Sequence, residues 1–159
     1  MSYIMDLRKL VGSRTIIMAS ASVLILNKEG QLLLQKRKDN GYWGYPGGSM
    51  ELGESFEETA RREALEETGL KIKSLQLFDI ISGKKSHYKY PNGDEIYDAA
   101  VIFISDDWEG ELKVQESEVV EQRFFDLTQL PEGISPINME VIQKCIILKS
   151  DRNGKQYNG

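Results

Sequence analysis

Three glutamates, Glu63, Glu66 and Glu67, fall within five consecutive positions of a stretch that reads as a helix. A helix turns about 100° per residue, so from Phe56 at zero Ala60 falls near 40° and Ala64 near 80°, a narrow apolar stripe. On the same wheel Glu67 lies at roughly 20°, Glu63 at roughly 340° and Glu66 at roughly 280°, inside or beside that stripe. Like charges four residues apart repel, and partial burial raises the cost unless a cation sits among them. A hard divalent ion resolves the conflict. Magnesium, with manganese as a substitute, prefers oxygen donors and completes its shell with water and phosphate oxygens. The competing reading is a solvated helix laced by ion pairs from Glu58 or Glu66 to Arg62, since charge runs usually face water. Glu67 inside the apolar arc argues against it.

The elements that position these acids are readable on either side. Ser55 and Glu58 have the spacing of a capping box and Gly69 stands where a helix stop is expected, which predicts a helix over 55–68. Residues 39–49 (DNGYWGYPGGS) hold four glycines and a proline, so a loop must deliver the chain to that helix. Upstream, residues 14–27 and 31–38 read as two strands around a turn at Lys28, Glu29 and Gly30. Downstream, strands are expected over 70–82 and 95–105 about a turn at residues 91–94, with short ones near 111–114 and 119–125. Ser135 and Pro136 open a second helix to about Lys149, and the polar residues 150–159 read as a frayed tail. More strands than helices, several joined by short turns, indicate an α/β (α+β) fold: a mixed central sheet with helices on its faces.

At 159 residues the chain suits one domain, with its core at about 14–149. A hydrophobic fraction of 40% and a charged fraction of 28% are ordinary for a globular protein, and no apolar run predicts a membrane span or signal peptide. The net charge of −5 disfavours binding of a nucleic-acid polymer, which needs a basic surface to displace counterions. A small phosphate ligand stays compatible with that charge if divalent cations offset it. Cys145 is the only cysteine, so no intramolecular disulfide forms and a cytoplasmic setting is expected. Apolar residues among charges over residues 4–11 could cover the domain or join a second copy in a homodimer.

Gly48, five residues, Glu54, seven residues and then Arg62-Glu63-Ala64-Leu65-Glu66-Glu67-Thr68-Gly69-Leu70 resembles the signature of the Nudix (MutT-like) hydrolase family. Seven fixed positions match, which at about 7% usage per residue type arises by chance on the order of once in a hundred million starts. Ala64 departs from the bulkier aliphatic residue usual in the family, a matter of packing rather than of ligands. Residues 33–37, Trp43, Pro46, Gly47, Gly48 and the 118–127 segment also look like family features in their usual order. The resemblance implies an α/β/α sandwich carrying a loop-helix-loop motif, and a magnesium-dependent pyrophosphohydrolase. Its substrate would be a nucleoside diphosphate linked to another moiety: a nucleoside triphosphate, a dinucleoside polyphosphate or a nucleotide sugar. Carried over position by position, Glu63, Glu66 and Glu67 become metal-binding carboxylates and the Gly48 carbonyl a further ligand. Arg62 would orient a glutamate, Glu54 would brace the motif, and Glu63 could serve as general base. Glu118, ahead of its neighbours Glu116 and Glu121, is the expected catalytic carboxylate outside the helix. The alternative is a catalytically silent nucleotide-binding sensor, whose usual mark, loss of a motif carboxylate, is missing here.

Substrate selection is expected to involve Arg37, Lys85 and Tyr88. Residues 82–90 (SGKKSHYKY) interleave cations for phosphates with rings for stacking, though a solvated hairpin would use the same residues. Tyr88 follows the motif at about the spacing of a tyrosine in relatives that cleave dinucleoside polyphosphates. No proline stands where ADP-ribose-cleaving relatives tend to place one. Trp43 and Tyr45 could line the same cleft, although a loop tryptophan more often packs.

Overall fold

The computed structural model describes residues 2–155. Its centre is a parallel pair, β1 (Ile16–Ile25) and β8 (Glu95–Ser105), in register from Ile16 opposite Ile96 to Ile25 opposite Ser105. β4 (Gly47–Ser49) runs antiparallel on the outer edge of β1, while β6 (Gln76–Ile81) and β7 (His87–Lys89) run antiparallel along β8, making the sheet mixed. A second, antiparallel sheet places β2 (Leu32–Arg37) between β10 (Val119–Phe125) and β3 (Trp43–Gly44). A two-stranded ribbon joins β5 (Lys71–Ile72) to β9 (Trp108–Glu109).

Three helices complete the chain: α1 (Tyr3–Val11), α2 (Phe56–Thr68) and α3 (Pro136–Lys155). A parallel strand covered on both faces needs a continuous apolar run rather than alternation, and Val23, Leu24 and Ile25 are all fully buried. Val23, Ile25 and Phe103 pack with Ala60 and Ala64 of α2, while Leu24 and Ile102 pack with Val141, Ile142 and Cys145 of α3. The expected α/β/α sandwich is thus present, with α2 and α3 in opposite outer layers. Ala64, the departure from the motif, is fully buried against the sheet.

α2 begins and ends as its sequence dictates. The Ser55 hydroxyl accepts from the Glu58 N–H at 3.1 Å, and the Glu58 carboxylate accepts from the Ser55 N–H at 2.7 Å. Gly69 takes the left-handed conformation at φ +78°, and its N–H donates to the Leu65 carbonyl.

The N-terminal segment, where the sequence predicts no element, is a helix, α1, capped by Ser2, whose hydroxyl accepts from the Met5 N–H. Four expectations need correction. The glycine-rich 39–49 loop contains β3 and β4, because its extended backbone finds sheet edges on β2 and β1. The 70–82 strand is two strands, since Lys73 donates its N–H to the Asp107 carbonyl and the chain changes partner there. Residues 111–114 are not a strand. The Lys113 N–H is drawn to the Thr68 carbonyl at the end of α2 instead. Helix α3 continues past Lys149 to Lys155, so residues 150–155 are helical rather than frayed, and 156–159 lie outside the described residues. Among the described residues no helix is long and apolar enough to cross a membrane.

Candidate functional site

The motif glutamates face the edge of the central sheet where β4 lies on β1. Gly48 pairs with Ala21 there, and the Glu63 carboxylate lies directly against it. A Cβ at position 48 would stand 2.5 Å from the carboxyl carbon of Glu63 and 2.6 and 2.8 Å from its oxygens. Only glycine leaves that carboxylate its place. Exposure falls along the helix face in the order the wheel predicts: the Glu66 side chain is 50% exposed, Glu63 14%, and Glu67 as a residue 4%.

Burial pushes the Glu67 carboxyl up to about 8, with the Gln35 side-chain amide, which donates to it, pulling the other way and the charge of Glu63 adding to the rise. Burial also raises Glu63, against the pull of Arg62. Arg62 gathers the rest of the loop. It donates to Glu54 at 2.6 and 3.0 Å, to Glu63 at 2.7 Å, to Glu66 at 3.3 Å and to the Ser49 carbonyl at 3.0 Å. Those bonds hold the Glu54 carboxyl down to about 2. Glu54 in turn accepts from the Glu51 N–H and the Thr59 hydroxyl, tying the loop to the first turn of α2. Of the two ion pairs weighed for a purely solvated helix, the contact from Arg62 to Glu66 exists, whereas Glu58 is engaged in the helix cap.

Arg62, Glu63, Glu66, Glu67 and Gly48 line an open cleft of about 570 Å³, and Glu118 and Gln115 line it from the loop before β10. Of the three acids weighed in that loop region, Glu118 alone lines the cleft. Glu121 pairs with Arg123, and the Glu116 carbonyl receives Lys38. The carboxylates share the cleft without closing on one point: among the described residues no three His, Cys, Asp or Glu side chains are grouped tightly enough to hold a metal ion. Arg62 holds Glu63 and Glu66 while Gln35 donates to Glu67, and Glu66 turns toward solvent as Glu63 and Glu67 stay close to each other. The donor chemistry nevertheless suits a hard cation, which needs only one or two carboxylates and retains water. Gln35 Oε1 and Gln115 Oε1 are buried without a hydrogen-bond partner among the described residues, leaving further oxygen donors beside the acids.

The expected substrate residues fall differently. Arg37 lines the cleft, held by Asp39 through two hydrogen bonds of 3.0 and 2.8 Å, and it also lines an adjoining pocket of about 450 Å³. Lys85 and Tyr88 line only that second pocket. Lys85 is paired with Glu140 at 2.7 Å, and the Tyr88 hydroxyl accepts from Asn40 at 2.8 Å. Asp98 lies beside them, receiving the Ser20 hydroxyl at 2.6 Å, and burial pushes its carboxyl up. Trp43 is 6% exposed and meets Phe125 edge to face at 5.0 Å, so packing dominates its role. Sequence reasoning missed Gln35, Met18, Ile4 and Met5, all beside the acids or lining the cleft, where Tyr90, one of the rings read for stacking in residues 82–90, also lies. For Gln35 a cue existed, a polar residue closing a run of three leucines; the others come from distant parts of the chain.

Comparison with known proteins accords with this geometry. The chain is 40% identical over 111 residues to an ADP-ribose pyrophosphatase of Methanocaldococcus jannaschii, covering 68% of this chain and 62% of that protein. It is 32% identical over 130 residues to the NAD-capped RNA hydrolase NudC of Actinobacillus succinogenes, covering 76% and 46%. The chain therefore spans between about half and three-fifths of the length of these relatives. Among solved structures, the MutT Nudix hydrolase of Burkholderia pseudomallei superposes with a TM-score of 0.69 over 82% of this chain and 98% of that one, at 24% identity, a likeness of fold. The model of the NUDIX domain matches residues 17–145, from the second residue of β1 to the middle of α3, and on that match the chain belongs to the NUDIX family.

Proposed function

We propose that the protein is a magnesium-dependent pyrophosphohydrolase, with manganese as a substitute. It would cleave the diphosphate linkage of a nucleoside diphosphate joined to another moiety, by attack of water on phosphorus. The observation that carries this reading is the placement of Glu63 and Glu67, two crowded, desolvated carboxylates against a glycine that alone permits the approach. Such an arrangement costs free energy unless a cation is bound there. Glu63, Glu66, Glu67 and the Gly48 carbonyl would hold the metal. When bound, it would neutralise phosphate charge and lower the pKa of the attacking water.

The chain's own groups divide the remaining work. Arg62 holds Glu63 and Glu66 on the cleft side of α2. Glu63 would take the proton of the attacking water, and Glu118, across the cleft, is the second group able to reach that water. Arg37, between the cleft and the adjoining pocket, would meet phosphate, with Lys85 and Tyr88 contacting the more distant part of the substrate. The net charge of −5 favours small nucleotides over polymers. One domain suffices for this activity, and the buried free thiol of Cys145 suits a reducing cytoplasm.

The leaving group is the open variable. Relatives named ADP-ribose pyrophosphatase, NAD-capped RNA hydrolase and putative 8-oxo-dGTP diphosphatase differ in the substrate that each name gives. The test is a panel of nucleoside triphosphates, nucleotide sugars, ADP-ribose and dinucleoside polyphosphates with magnesium, the products identified by mass. Turnover of at least one class is expected. Stabilisation by a nucleotide with no product from any class would favour the silent sensor instead.

A further inference from the structure

α1 lies over the cleft and is latched at both ends. At its start the Tyr3 N–H donates to the Glu51 carboxylate at 2.9 Å, and the Glu51 N–H donates to Glu54, the partner of Arg62. At its other end Arg8 donates to the carbonyls of Glu95 at 2.8 Å and Arg14 at 2.6 Å, and sits 3.7 Å from Asp94. One latch grips the loop that leads into α2, the helix of the acids; the other grips the hairpin of β7 and β8. Between them Ile4 and Met5 line the same cleft as Glu63 and Glu67, opposite no charged partner of their own.

The apolar surface is continuous. Ile4, Met5, Met18 and Tyr90 line both the carboxylate cleft and a neighbouring recess of about 550 Å³ that runs on to Asn92 and Ile96. Tyr90 is braced from behind by Tyr88, edge to face at 4.8 Å, and Tyr88 is fixed by Asn40. Thioether, alkyl and ring surfaces converging beside a phosphate-type site match a flat aromatic group. Met5 is 60% exposed, so filling a hydrophobic core does not explain it.

We infer that α1 is a specificity wall, in which Ile4 and Met5, facing Met18 and Tyr90, receive the nucleobase of the substrate while its phosphates lie at the Glu63 and Glu67 end. The inference rests on the hydrolase reading for the position of the phosphates. It adds a base-contacting element built from the N-terminal helix, outside the motif, which shares Tyr90 with the pocket of Lys85 and Tyr88. Arg8 and Glu51 act as positioning residues that hold the wall in place.

The test measures binding to the full chain by calorimetry with magnesium, using α,β-methylene-ADP and α,β-methylene-GDP against methylenediphosphonate, which has no base. Met5→Ser and Ile4→Ser should each weaken at least one nucleotide analogue about fivefold to tenfold. Methylenediphosphonate binding should not change, and Met5→Leu should recover most of the lost affinity. Equal affinity of wild type and both serine variants for the analogues would overturn the wall, as would equal losses on the base-free ligand, the mark of a merely structural role. Wild type that binds neither analogue would overturn it too. Absence of turnover across the substrate panel would count against the hydrolase reading alone, because these binding measurements need no catalysis.

Discussion

On the α2 side of the cleft, Arg62 reaches four acceptors drawn from Glu54, Glu63, Glu66 and the Ser49 carbonyl, and each acid has an assigned hydrogen bond. On the α1 side, Ile4, Met5, Met18 and Tyr90 meet the same space with alkyl, thioether and ring surface. The first wall is fixed by directional charged bonds, which suit groups that must hold a reacting centre in one geometry. The second is fixed by its ends, through Tyr3 on Glu51 and Arg8 on Glu95, leaving the contacting side chains free to adapt to a ligand. The division predicts that damage to the α2 wall lowers kcat, while damage to the α1 wall raises KM.

The hardest test of that division is Glu67→Gln. The amide keeps the shape and can still meet Gln35, but it lacks the charge a metal requires, so kcat should fall on the order of a thousandfold. KM should change little, and a comparable rise in KM would break the assignment of this wall to chemistry. Folding should not suffer, since a neutral group replaces a desolvated carboxylate 4% exposed. Gly48→Ala is the next in size. The new methyl would meet the Glu63 carboxylate within 2.5 Å, and because that is the end of a flexible side chain it should swing aside rather than unfold the sheet. A displacement of about 1 Å at a catalytic group costs about a hundredfold in rate, while Tm should drop by only a few degrees. A large loss of Tm with activity preserved in the folded fraction would show that Gly48 serves packing alone.

The contrast between the walls also explains what the sequence could reveal. The α2 wall is local: Ser55, Glu58 and Gly69 set the helix ends, and the wheel put Glu67 within the apolar stripe with Glu63 and then Glu66 at increasing angles beside it, the order observed in their exposure, although Glu66 turns further toward solvent than a convergent face implies. β8 and β10 were equally legible at 95–105 and 119–125 because each is one continuous run of extended, largely apolar residues. The α1 wall joins residues 4, 5, 18 and 90, and no spacing rule connects them. α1 itself is nine residues long, short for a helix to form on propensity, and depends on the tertiary latches of Tyr3 and Arg8. The break after Ile72 and the coil at 111–114 were hidden for the same reason, since backbone bonds to Asp107 and Thr68 decided both.

The smallest expected effect separates the walls by pH. Glu67 has a folded-state pKa pushed up to about 8 from an ordinary 4.5, so the folded chain binds a proton that the unfolded chain releases. For a group raised in this way the stability is fully present below about pH 4.5 and is lost as pH climbs toward 8. In chelator, urea unfolding should therefore show stability falling between pH 5 and pH 8 by on the order of 3 kcal/mol. Glu63 titrates in the same direction and adds to the slope. Glu54, held down to about 2 by Arg62, is ionised in both states throughout the upper part of this window and contributes little change there. Glu67→Gln should flatten the profile, and magnesium should do the same in wild type by stabilising the ionised form. Met5→Ser, on the other wall, should leave the slope as it is. A profile equally altered by Met5→Ser would mean that the two walls are coupled through Glu51 and Glu54 more tightly than their separate bonding implies.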